Sequence, residues 1–342
     1  MKVAVYYSQD DVRYEEAPKP EIGPGDLLMK MKACGVCGSD LMEWYLEERA
    51  PLVIGHEPTG VVVEVGARVE GFQIGDRIFA HHHVPCLTCY YCNHGDYTLC
   101  EQFTKTHLEP GGFAEYVRVP EPNVKVDTLK IPASLSFEEA TLIEPVACCI
   151  RGITKCNFRV GDTLLIIGAG PVGLILIQLA TLIGASKIIV SDLVGYRRKA
   201  ALDFGADTVL DPKEVELLEV VKGETDGRGA DVVIVTAPTK KAVYEGFEAC
   251  RRGGVLFLFA PTPPDVKVEV SPNRIFFDEV KILSSYSTSH IETRKALRLI
   301  SSGRLRTKEL ISHEFPLRRT GEAIRLAARS KECLKVIIKG EK

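Results

Sequence analysis

The chain has 342 residues, of which 45% are hydrophobic and 26% charged, and its formal net charge is −3. These values are ordinary for a globular protein of about two domains. They exclude the strongly basic surface that binding to nucleic acid or to an anionic membrane requires. The N-terminal stretch MKVAVYYSQDDVRYEE lacks the uninterrupted apolar core of a signal peptide. We therefore expect a cytoplasmic protein, whose eleven cysteines do not form a disulfide framework in that reducing compartment.

About the first 145 residues contain short β-like runs separated by glycine and proline: MKVAVYY, DLLMKMKACG, TGVVVEVG, DRIFAHH and GGFAEYVRVP. This pattern is typical of a mainly antiparallel, β-rich domain. Two polar motifs lie within it, CGVCGSD at residues 34–40 and GHE at residues 55–57. Both contain residue types that bind metal ions.

Four cysteines lie close together in the segment CLTCYYCNHGDYTLC, residues 86–100. In a reducing compartment, such thiols are better explained as metal ligands than as disulfide partners. Four thiolates complete a tetrahedral zinc shell and leave no open position. The segment therefore predicts a structural zinc site formed by Cys86, Cys89, Cys92 and Cys100. An iron–sulfur cluster takes the same ligands, but nothing else in the chain indicates electron transfer.

From about residue 160 onward, apolar strands alternate with amphipathic helices. TLLIIG is followed by LILIQLATLIGA, KIIVSD by GYRRKAALDFGA, and DVVIVTA by KKAVYEGFEACRRG. This alternation predicts βαβ units in a doubly wound parallel sheet, an α/β fold. The most apolar stretch, residues 163–185, has glycines and a proline in its middle. We interpret it as a buried strand, a turn and a helix rather than as a membrane span.

The turn in this stretch has the GxGxxG spacing of dinucleotide-binding proteins, and Asp192 ends the next strand 19 residues beyond Gly173. Gly168 permits the tight turn, Gly170 lets the backbone approach a pyrophosphate, and Gly173 lets helix and strand pack closely. Pro171 and Val172 begin the helix, whose N-terminus offers free N–H groups to the phosphates.

Asp192 is expected to accept hydrogen bonds from the adenosine ribose hydroxyls. A carboxylate at this position repels a 2′-phosphate, so the sequence predicts NAD as the cofactor. Arg197 and Arg198 follow closely and leave room for use of NADP as well.

After VKILSSYSTS, the segment HIETRKALRLISSG predicts a helix, and ISHEFPL and LKVIIKG predict strands. We expect this C-terminal part to return to the first domain. The predicted β-rich domain therefore comprises residues 1–147 and 287–342 and carries the four-cysteine segment. The predicted NAD-binding domain comprises residues 148–286.

Over essentially its whole length, the sequence resembles the zinc-dependent medium-chain alcohol and polyol dehydrogenases. The motifs that carry the resemblance are GVCGSD, GHEPTGVVVEVG, GFQIGDR, the four-cysteine segment, GAGPVG and DGRGADVV. The resemblance implies a GroES-like catalytic domain together with a Rossmann domain. It also implies two zinc ions per chain, one catalytic and one structural.

The resemblance assigns ligands to the catalytic zinc. Cys37 and His56 match the family's metal ligands, and Glu144 in TLIEPVACC matches the position of a third ligand. Classical alcohol dehydrogenases carry cysteine at that position, whereas glutamate is more like the sorbitol, threonine and related secondary-alcohol enzymes. Direct and water-mediated contact of Glu144 with the metal both remain open. Glu57 matches a carboxylate that, in relatives, either binds zinc or alternates with solvent at the fourth position.

Ser39 and His83 are the candidates for proton transfer. Ser39 resembles the family's relay hydroxyl, and His83 matches a histidine that threonine dehydrogenases place near their active site. Neighbouring residues of a strand point to opposite faces, so we expect His82 to be a surface histidine. Asp40 is expected to orient a metal ligand or to cap the following helix.

These features predict an enzyme that transfers a hydride from a secondary alcohol, such as a polyol or a sugar-derived alcohol, to NAD. Zinc with an open position lowers the pKa of a hydroxyl group, and the resulting alkoxide can release hydride to the nicotinamide. L-threonine 3-dehydrogenase activity is the alternative within the same class. The resemblance further implies a homotetramer, or a dimer, with VKILSSYSTS as an edge strand for subunit pairing.

Two hypotheses come from other classes. A non-catalytic binding protein could keep the same fold, but here all the expected catalytic zinc ligands are present. A zinc-dependent nucleic-acid binder would fit the four-cysteine segment alone, but the acidic charge balance disfavours it. We expect a small alcohol as the binding partner, with neither nucleic acid nor membrane.

Overall fold

The computed structural model describes residues 1–341, and the chain separates into two compact units. Unit 1 comprises Met1–Ala147 and Ser287–Lys342, and unit 2 comprises Cys148–Tyr286. The strands are β1 Lys2–Tyr6, β2 Val12–Glu16, β3 Leu27–Gly35, β4 Leu52–Val53, β5 Glu57–Val65, β6 Arg77–Ala80, β7 Tyr116–Val119, β8 Thr128–Lys130, β9 Thr163–Ile167, β10 Lys187–Ser191, β11 Thr208–Leu210, β12 Ala230–Val235, β13 Cys250–Leu258, β14 Lys281–Ser284, β15 Ile311–Pro316 and β16 Lys335–Lys339.

The helices are α1 Glu43–Leu46, α2 Tyr90–Asn93, α3 Glu121–Asp127, α4 Phe137–Ala140, α5 Ile143–Lys155, α6 Pro171–Ile183, α7 Gly195–Asp203, α8 Leu217–Gly223, α9 Lys240–Ala249, α10 Pro272–Phe277, α11 His290–Ser301 and α12 Thr320–Arg329. Short 3-10 helices span Gly38–Leu41, Glu47–Arg49, Tyr97–Leu99, Lys308–Leu310 and Leu317–Arg319. Among residues 1–341, none of these helices combines the length and the apolar character needed to cross a membrane.

The larger sheet of unit 1 has the strand order β15-β16-β3-β5-β6-β8, with β7 also paired to β3. A smaller antiparallel sheet has the order β2-β1-β4. Buried side chains from both sheets, among them Tyr6, Met29 and Ile338, form one hydrophobic core together with Phe113, which precedes β7. The expected β-rich domain is confirmed, and its pairing is mainly antiparallel, with β15 and β16 as a parallel exception.

Strand β3 has β5 on one side and the C-terminal strand β16 on the other, and both pairs are antiparallel. Gly35, at the end of β3, lies opposite Glu57 in β5 and opposite Ile337 in β16. The next residue along the chain, Val36, donates its N–H to the carbonyl of Val336 at 2.9 Å. This register brings the start of β5, the start of β16 and the turn after β3 to one place.

A buried carboxylate fastens helix α11 to the N-terminal part of unit 1. Asp127, at the end of α3, accepts a 2.7 Å hydrogen bond from the Thr293 hydroxyl and a 3.2 Å hydrogen bond from Arg294. The Nδ1 atom of His81 lies 3.3 Å from the other carboxylate oxygen, and both side chains are fully buried. Helix α11 begins with a capping box in which Ser289 and Glu292 satisfy each other's backbone N–H groups.

Unit 2 has a six-stranded sheet in the order β11-β10-β9-β12-β13-β14, with parallel pairing throughout. Strands β9 and β12 are buried along almost their whole length, as expected for central strands of a parallel sheet. The order places the first strand of the unit, β9, in the middle, which is the doubly wound arrangement that the sequence predicts. Helix α6 starts with Pro171 in its first turn and is capped at its C-terminus by Gly184, whose φ of 98° is in the left-handed region.

The buried Asp127 network gives a first prediction. Replacing Thr293 with valine removes a hydroxyl donor from a buried charged acceptor, so the free energy of unfolding should fall by about 1.5–3 kcal/mol. Thr293→Ser keeps the hydroxyl and loses one methyl group, which should cost less than about 1 kcal/mol. Urea denaturation of the two variants measures the difference, and equal losses would contradict a role for the hydrogen bond.

Candidate active site

Cys37, His56 and Glu57 come together in unit 1, with one potential ligand atom from each lying within 4.8 Å of the others. Cys37 follows the end of β3, Glu57 begins β5, and His56 directly precedes it. The pairing of these two strands brings the three residues into contact range. Thiolate, imidazole and carboxylate are the usual protein ligands of zinc. The residue types and their spacing therefore fit the catalytic zinc ion that the sequence predicts.

Asp40 orients two members of this cluster. One of its carboxylate oxygens accepts a 2.9 Å hydrogen bond from the backbone N–H of Cys37, and the other lies 3.4 Å from Nδ1 of His56. Burial alone lowers the pKa of His56, but the negative charges of Asp40 and Cys37 raise it well above its ordinary value. A carboxylate next to a ligating histidine fixes the orientation of its ring, and this is the first of the two roles expected for Asp40.

Glu57 is fully buried and pairs with Lys335, which is only 3% exposed. Lys335 Nζ donates a 2.7 Å hydrogen bond to Oε1 of Glu57 and lies 2.6 Å from Oε2. Despite this short distance, Oε2 forms no hydrogen bond of suitable geometry with any donor in residues 1–341. The carboxylate can therefore still accept a further cation. The sequence analysis missed Lys335. Its position at the start of the apolar strand KVIIK was the available signal, because a buried lysine requires a counter-charge.

Glu144, in the first turn of α5, is buried but lies outside the three-residue cluster within the described residues 1–341. Its negative charge still acts on its neighbours. Burial raises the pKa of Glu57, and the charge of Glu144 raises it further, against the opposing effect of Lys335. The structure therefore places Glu144 close to the cluster without bringing it to the distance that Cys37, His56 and Glu57 share.

His82 and His83 follow strand β6, which ends at Ala80, so strand alternation does not apply to them. The expectation that His82 is a surface histidine is wrong: it is half-buried, and its ring centroid lies 4.9 Å from that of His56 and 4.0 Å from that of His83. His83 is buried, and its Nδ1 lies 2.7 Å from the Thr106 carbonyl. Burial lowers the pKa of His83 to about 3, so its ring is neutral at physiological pH. Ser39 is half-buried in the 3-10 turn Gly38–Leu41 after Cys37.

The four-cysteine segment folds back so that all four sulfurs lie within 4.8 Å of one another. The Cys89 and Cys92 sulfurs are 3.6 Å apart, and the Cys86 and Cys92 sulfurs are 4.0 Å apart. Tetrahedral zinc with Zn–S bonds of about 2.3 Å requires sulfurs about 3.8 Å apart. The arrangement therefore fits a closed zinc shell. Two of its cysteines, Cys92 and Cys100, pack with Phe103 in a small buried cluster.

This fit gives a second prediction, on metal content. Cys100→Ser should lose one of the zinc ions expected from the two clusters, and its Tm should fall by several degrees. A loss of only about 2 kcal/mol already shifts the Tm of a unit of this size by about 4–8 °C. Cys333→Ser is the matched control, because Cys333 is also buried in unit 1 but belongs to neither cluster. Zinc analysis and calorimetry test this, and full zinc content in Cys100→Ser would contradict it.

In unit 2, the GxGxxG turn connects β9 to α6. Gly168 has a φ of 111°, and a Cβ there would meet the Thr236 hydroxyl and, at 3.2 Å, the N–H of Ala237. A Cβ on Gly173 would collide with the Gly168 carbonyl. Gly170, the residue that caps α6, has open space where a side chain would project. This space in front of a helix N-terminus fits the pyrophosphate of a dinucleotide.

Asp192 lies directly after β10, and its carboxylate is held by the backbone. Oδ2 accepts a 2.7 Å hydrogen bond from the N–H of Ala169, and Oδ1 accepts one of 2.7 Å from that of Val194. Arg198 is engaged with the Asp192 carbonyl at 2.7 Å and with Asp211 at 2.8 Å. Arg197 is half-buried, and its Nε has no hydrogen-bond partner among residues 1–341.

Comparison with known proteins identifies the family. A family model described as alcohol dehydrogenase GroES-like domain matches residues 23–132, and one described as zinc-binding dehydrogenase matches residues 171–302. Sorbitol dehydrogenase of Bacillus subtilis (strain 168) is 34% identical over 99% of this chain and 97% of its own length. L-threonine 3-dehydrogenase of Pyrococcus abyssi is 35% identical over 92% of this chain and 90% of its own.

A solved structure extends the likeness to the fold. The NADP-bound crystal structure of a protein described as a zinc-binding dehydrogenase from Sinorhizobium meliloti 1021 has a TM-score of 0.89 and 31% identity, and the alignment covers 99% of this chain and 98% of that one. The GroES-like and Rossmann-type fold expected from the sequence is thus confirmed. From the similarity over nearly the whole chain, the two cysteine-containing clusters and the dinucleotide-binding turn, we conclude that this chain belongs to the zinc-dependent medium-chain alcohol and polyol dehydrogenase family.

Proposed function

We propose that this enzyme oxidises a secondary alcohol of the polyol or sugar-derived class and uses NAD as the hydride acceptor. The observation that carries the proposal is the convergence of Cys37, His56 and Glu57 within 4.8 Å. The similarity to a protein named sorbitol dehydrogenase supports the polyol class. L-threonine is the second candidate substrate, because a relative named L-threonine 3-dehydrogenase is equally similar and threonine also carries a secondary hydroxyl.

In this proposal, Cys37 and His56 hold the zinc ion, and Asp40 fixes the orientation of both. Zinc supplies a Lewis acid that lowers the pKa of the substrate hydroxyl, and NAD accepts the hydride. Ser39, two residues after Cys37, relays the hydroxyl proton: its Oγ takes up that proton while its own hydroxyl proton passes to solvent, which the half-buried side chain can reach. His83 donates from Nδ1 to the Thr106 carbonyl, so Nε2 of its neutral ring is left as an acceptor for another substrate hydroxyl. The pyrophosphate of the cofactor binds at the turn formed by Gly168, Gly170, Pro171, Val172 and Gly173.

The proposal is tested with a panel of polyols, sugar acids, L-threonine and simple alcohols, measured as NADH formation by the wild-type protein and by Cys37→Ser. We expect kcat/KM to be highest for one of the polyols. In Cys37→Ser it should fall by at least about 10³-fold, because zinc contributes several kcal/mol to such reactions. NAD affinity should stay within about twofold of wild type, since the dinucleotide-binding turn lies in unit 2. Full turnover by Cys37→Ser would contradict the proposal.

We propose NAD rather than NADP because the Asp192 carboxylate is fixed by two backbone hydrogen bonds and cannot turn away from a 2′-phosphate without breaking them. Arg198 is already paired with Asp211, so Arg197 is the cation left to attract such a phosphate.

The cofactor preference gives a separate prediction. Asp192→Ser should shift the ratio of kcat/KM for NAD to that for NADP by at least about tenfold toward NADP, because a repulsive charge is removed. Asp226→Asn is the charge-matched control, since Asp226 is 93% exposed in the same unit, and its ratio should not change. Steady-state kinetics with both cofactors decide the point, and an unchanged ratio in Asp192→Ser would remove Asp192 from the selection of cofactor.

We further propose a homotetramer built from dimers that pair through β14. This strand is the edge of the unit 2 sheet, so its outer N–H and C=O groups have no neighbouring strand among residues 1–341. The helix that precedes β14 in sequence carries Phe276 and Phe277, which are each 76% exposed and provide additional apolar surface. A monomeric mass in solution would contradict the proposed assembly.

A cytoplasmic location is also proposed. None of the eleven cysteines, all of which lie in residues 1–341, forms a disulfide bond, which fits a reducing compartment. Recovery of the protein from an extracytoplasmic fraction with oxidised cysteines would contradict it.

A further inference from the structure

The buried pair of Glu57 and Lys335 carries an inference about how the metal site works. Both side chains are removed from solvent, with exposures of 0% and 3%. A buried carboxylate or ammonium group is strongly unfavourable unless an opposite charge lies next to it. The contacts of 2.7 Å and 2.6 Å supply that charge to both residues. Lys335 therefore supplies the counter-charge next to the Glu57 carboxylate inside unit 1.

The backbone is built to accommodate this pair. Gly35 lies opposite Glu57 across the β3–β5 ladder. A Cβ at position 35 would collide with the Glu57 carboxylate and would lie 2.9 Å from Cε of Lys335. Lys335 belongs to β16, which pairs with β3 along the edge opposite β5 and so brings this side chain to the same glycine. The absence of a side chain at Gly35 thus leaves the space in which the carboxylate and the ammonium group meet.

The same carboxylate also faces the metal ligands. One oxygen of Glu57 is within 4.8 Å of the ligand atoms of Cys37 and His56, and Oε2 has no directed hydrogen bond from residues 1–341. Glu57 can therefore bind either of two cations, the ammonium group of Lys335 or a metal ion held by Cys37 and His56. The two cations can therefore compete for one negative charge.

We propose that Lys335 is a positioning residue that holds Glu57 as a removable fourth metal ligand. With Lys335 present, Glu57 can leave the metal position without becoming an isolated buried charge, so that position can open for the substrate. Without Lys335, Glu57 has the metal ion as its only counter-charge and stays bound to it. This inference rests on the metal site of the proposed function.

Three variants test the inference: Lys335→Met, Lys335→Arg and the double variant Lys335→Met/Glu57→Gln. Zinc affinity is measured by competition with a chelator on protein whose four-cysteine site remains loaded. In Lys335→Met the catalytic site should bind zinc at least about tenfold more tightly than in wild type, because the metal-free form contains an uncompensated buried carboxylate. Lys335→Arg keeps the positive charge and should stay near wild type.

Cobalt(II) substitution gives an absorption spectrum that would stay the same in the Lys335 variants if Lys335 had only a structural role. The absorption bands of cobalt at the catalytic site should shift in Lys335→Met, because the carboxylate becomes a permanent ligand, and Lys335→Arg should restore the wild-type spectrum. The bands of cobalt in the four-cysteine site are shared by all variants and serve as an internal reference. An unchanged spectrum together with unchanged or weaker zinc affinity in Lys335→Met would overturn the inference.

The double variant covers the case in which Lys335→Met does not fold. It removes both charges, so it should fold, and its zinc affinity should be no higher than that of wild type. Zinc binding at least about tenfold tighter than wild type in the double variant would show that any effect does not act through Glu57. Wild-type protein without any cobalt signal from Cys37 and His56 would instead contradict the metal site of the proposed function.

Discussion

Glu57 is a completely buried carboxylate, and the arrangement of unit 1 around it follows from the need to compensate its charge. Lys335 reaches it from β16, at the far end of the sequence. The proposed metal ligands Cys37 and His56 lie near it, after the end of β3 and just before β5. Both contacts depend on the central position of β3, which pairs with β5 and β16 at once. The chain must therefore return from unit 2 to complete the site, because Lys335 lies beyond it in sequence.

The two cysteine-containing clusters differ in how they are built, and this difference matches their expected roles. The four sulfurs of residues 86–100 come from one short segment and can enclose an ion completely. The cluster at Cys37 draws its groups from the ends of separate strands and offers ligands of three chemical types. Asp40 contacts Cys37 and His56, and Lys335 contacts Glu57. A local closed shell stabilises a fold, whereas a shell assembled from several strands can leave room for a substrate.

In unit 2, the proposed cofactor site is shaped by the backbone more than by side chains. Gly168 and Gly173 remove the atoms that would block the turn, and Gly170 leaves open space at the start of α6. The Asp192 carboxylate accepts hydrogen bonds from backbone N–H groups of the turn and of the segment after β10. It is therefore fixed before any ligand binds. Such preorganisation lowers the entropic cost of binding.

The sequence by itself determined the features that depend on local spacing. The four-cysteine segment, the GxGxxG turn with Asp192, and the change from β-rich to alternating pattern each lie within a short stretch, so their chemistry is readable from the order of residues. Only the tertiary structure decided which distant residues meet. Strand β16 places Lys335 against Glu57, α11 places Thr293 against Asp127, and the chain after β6 turns His82 toward His56. The physical reason is that charge compensation and strand register act between residues far apart in the chain, and no local pattern specifies their partners.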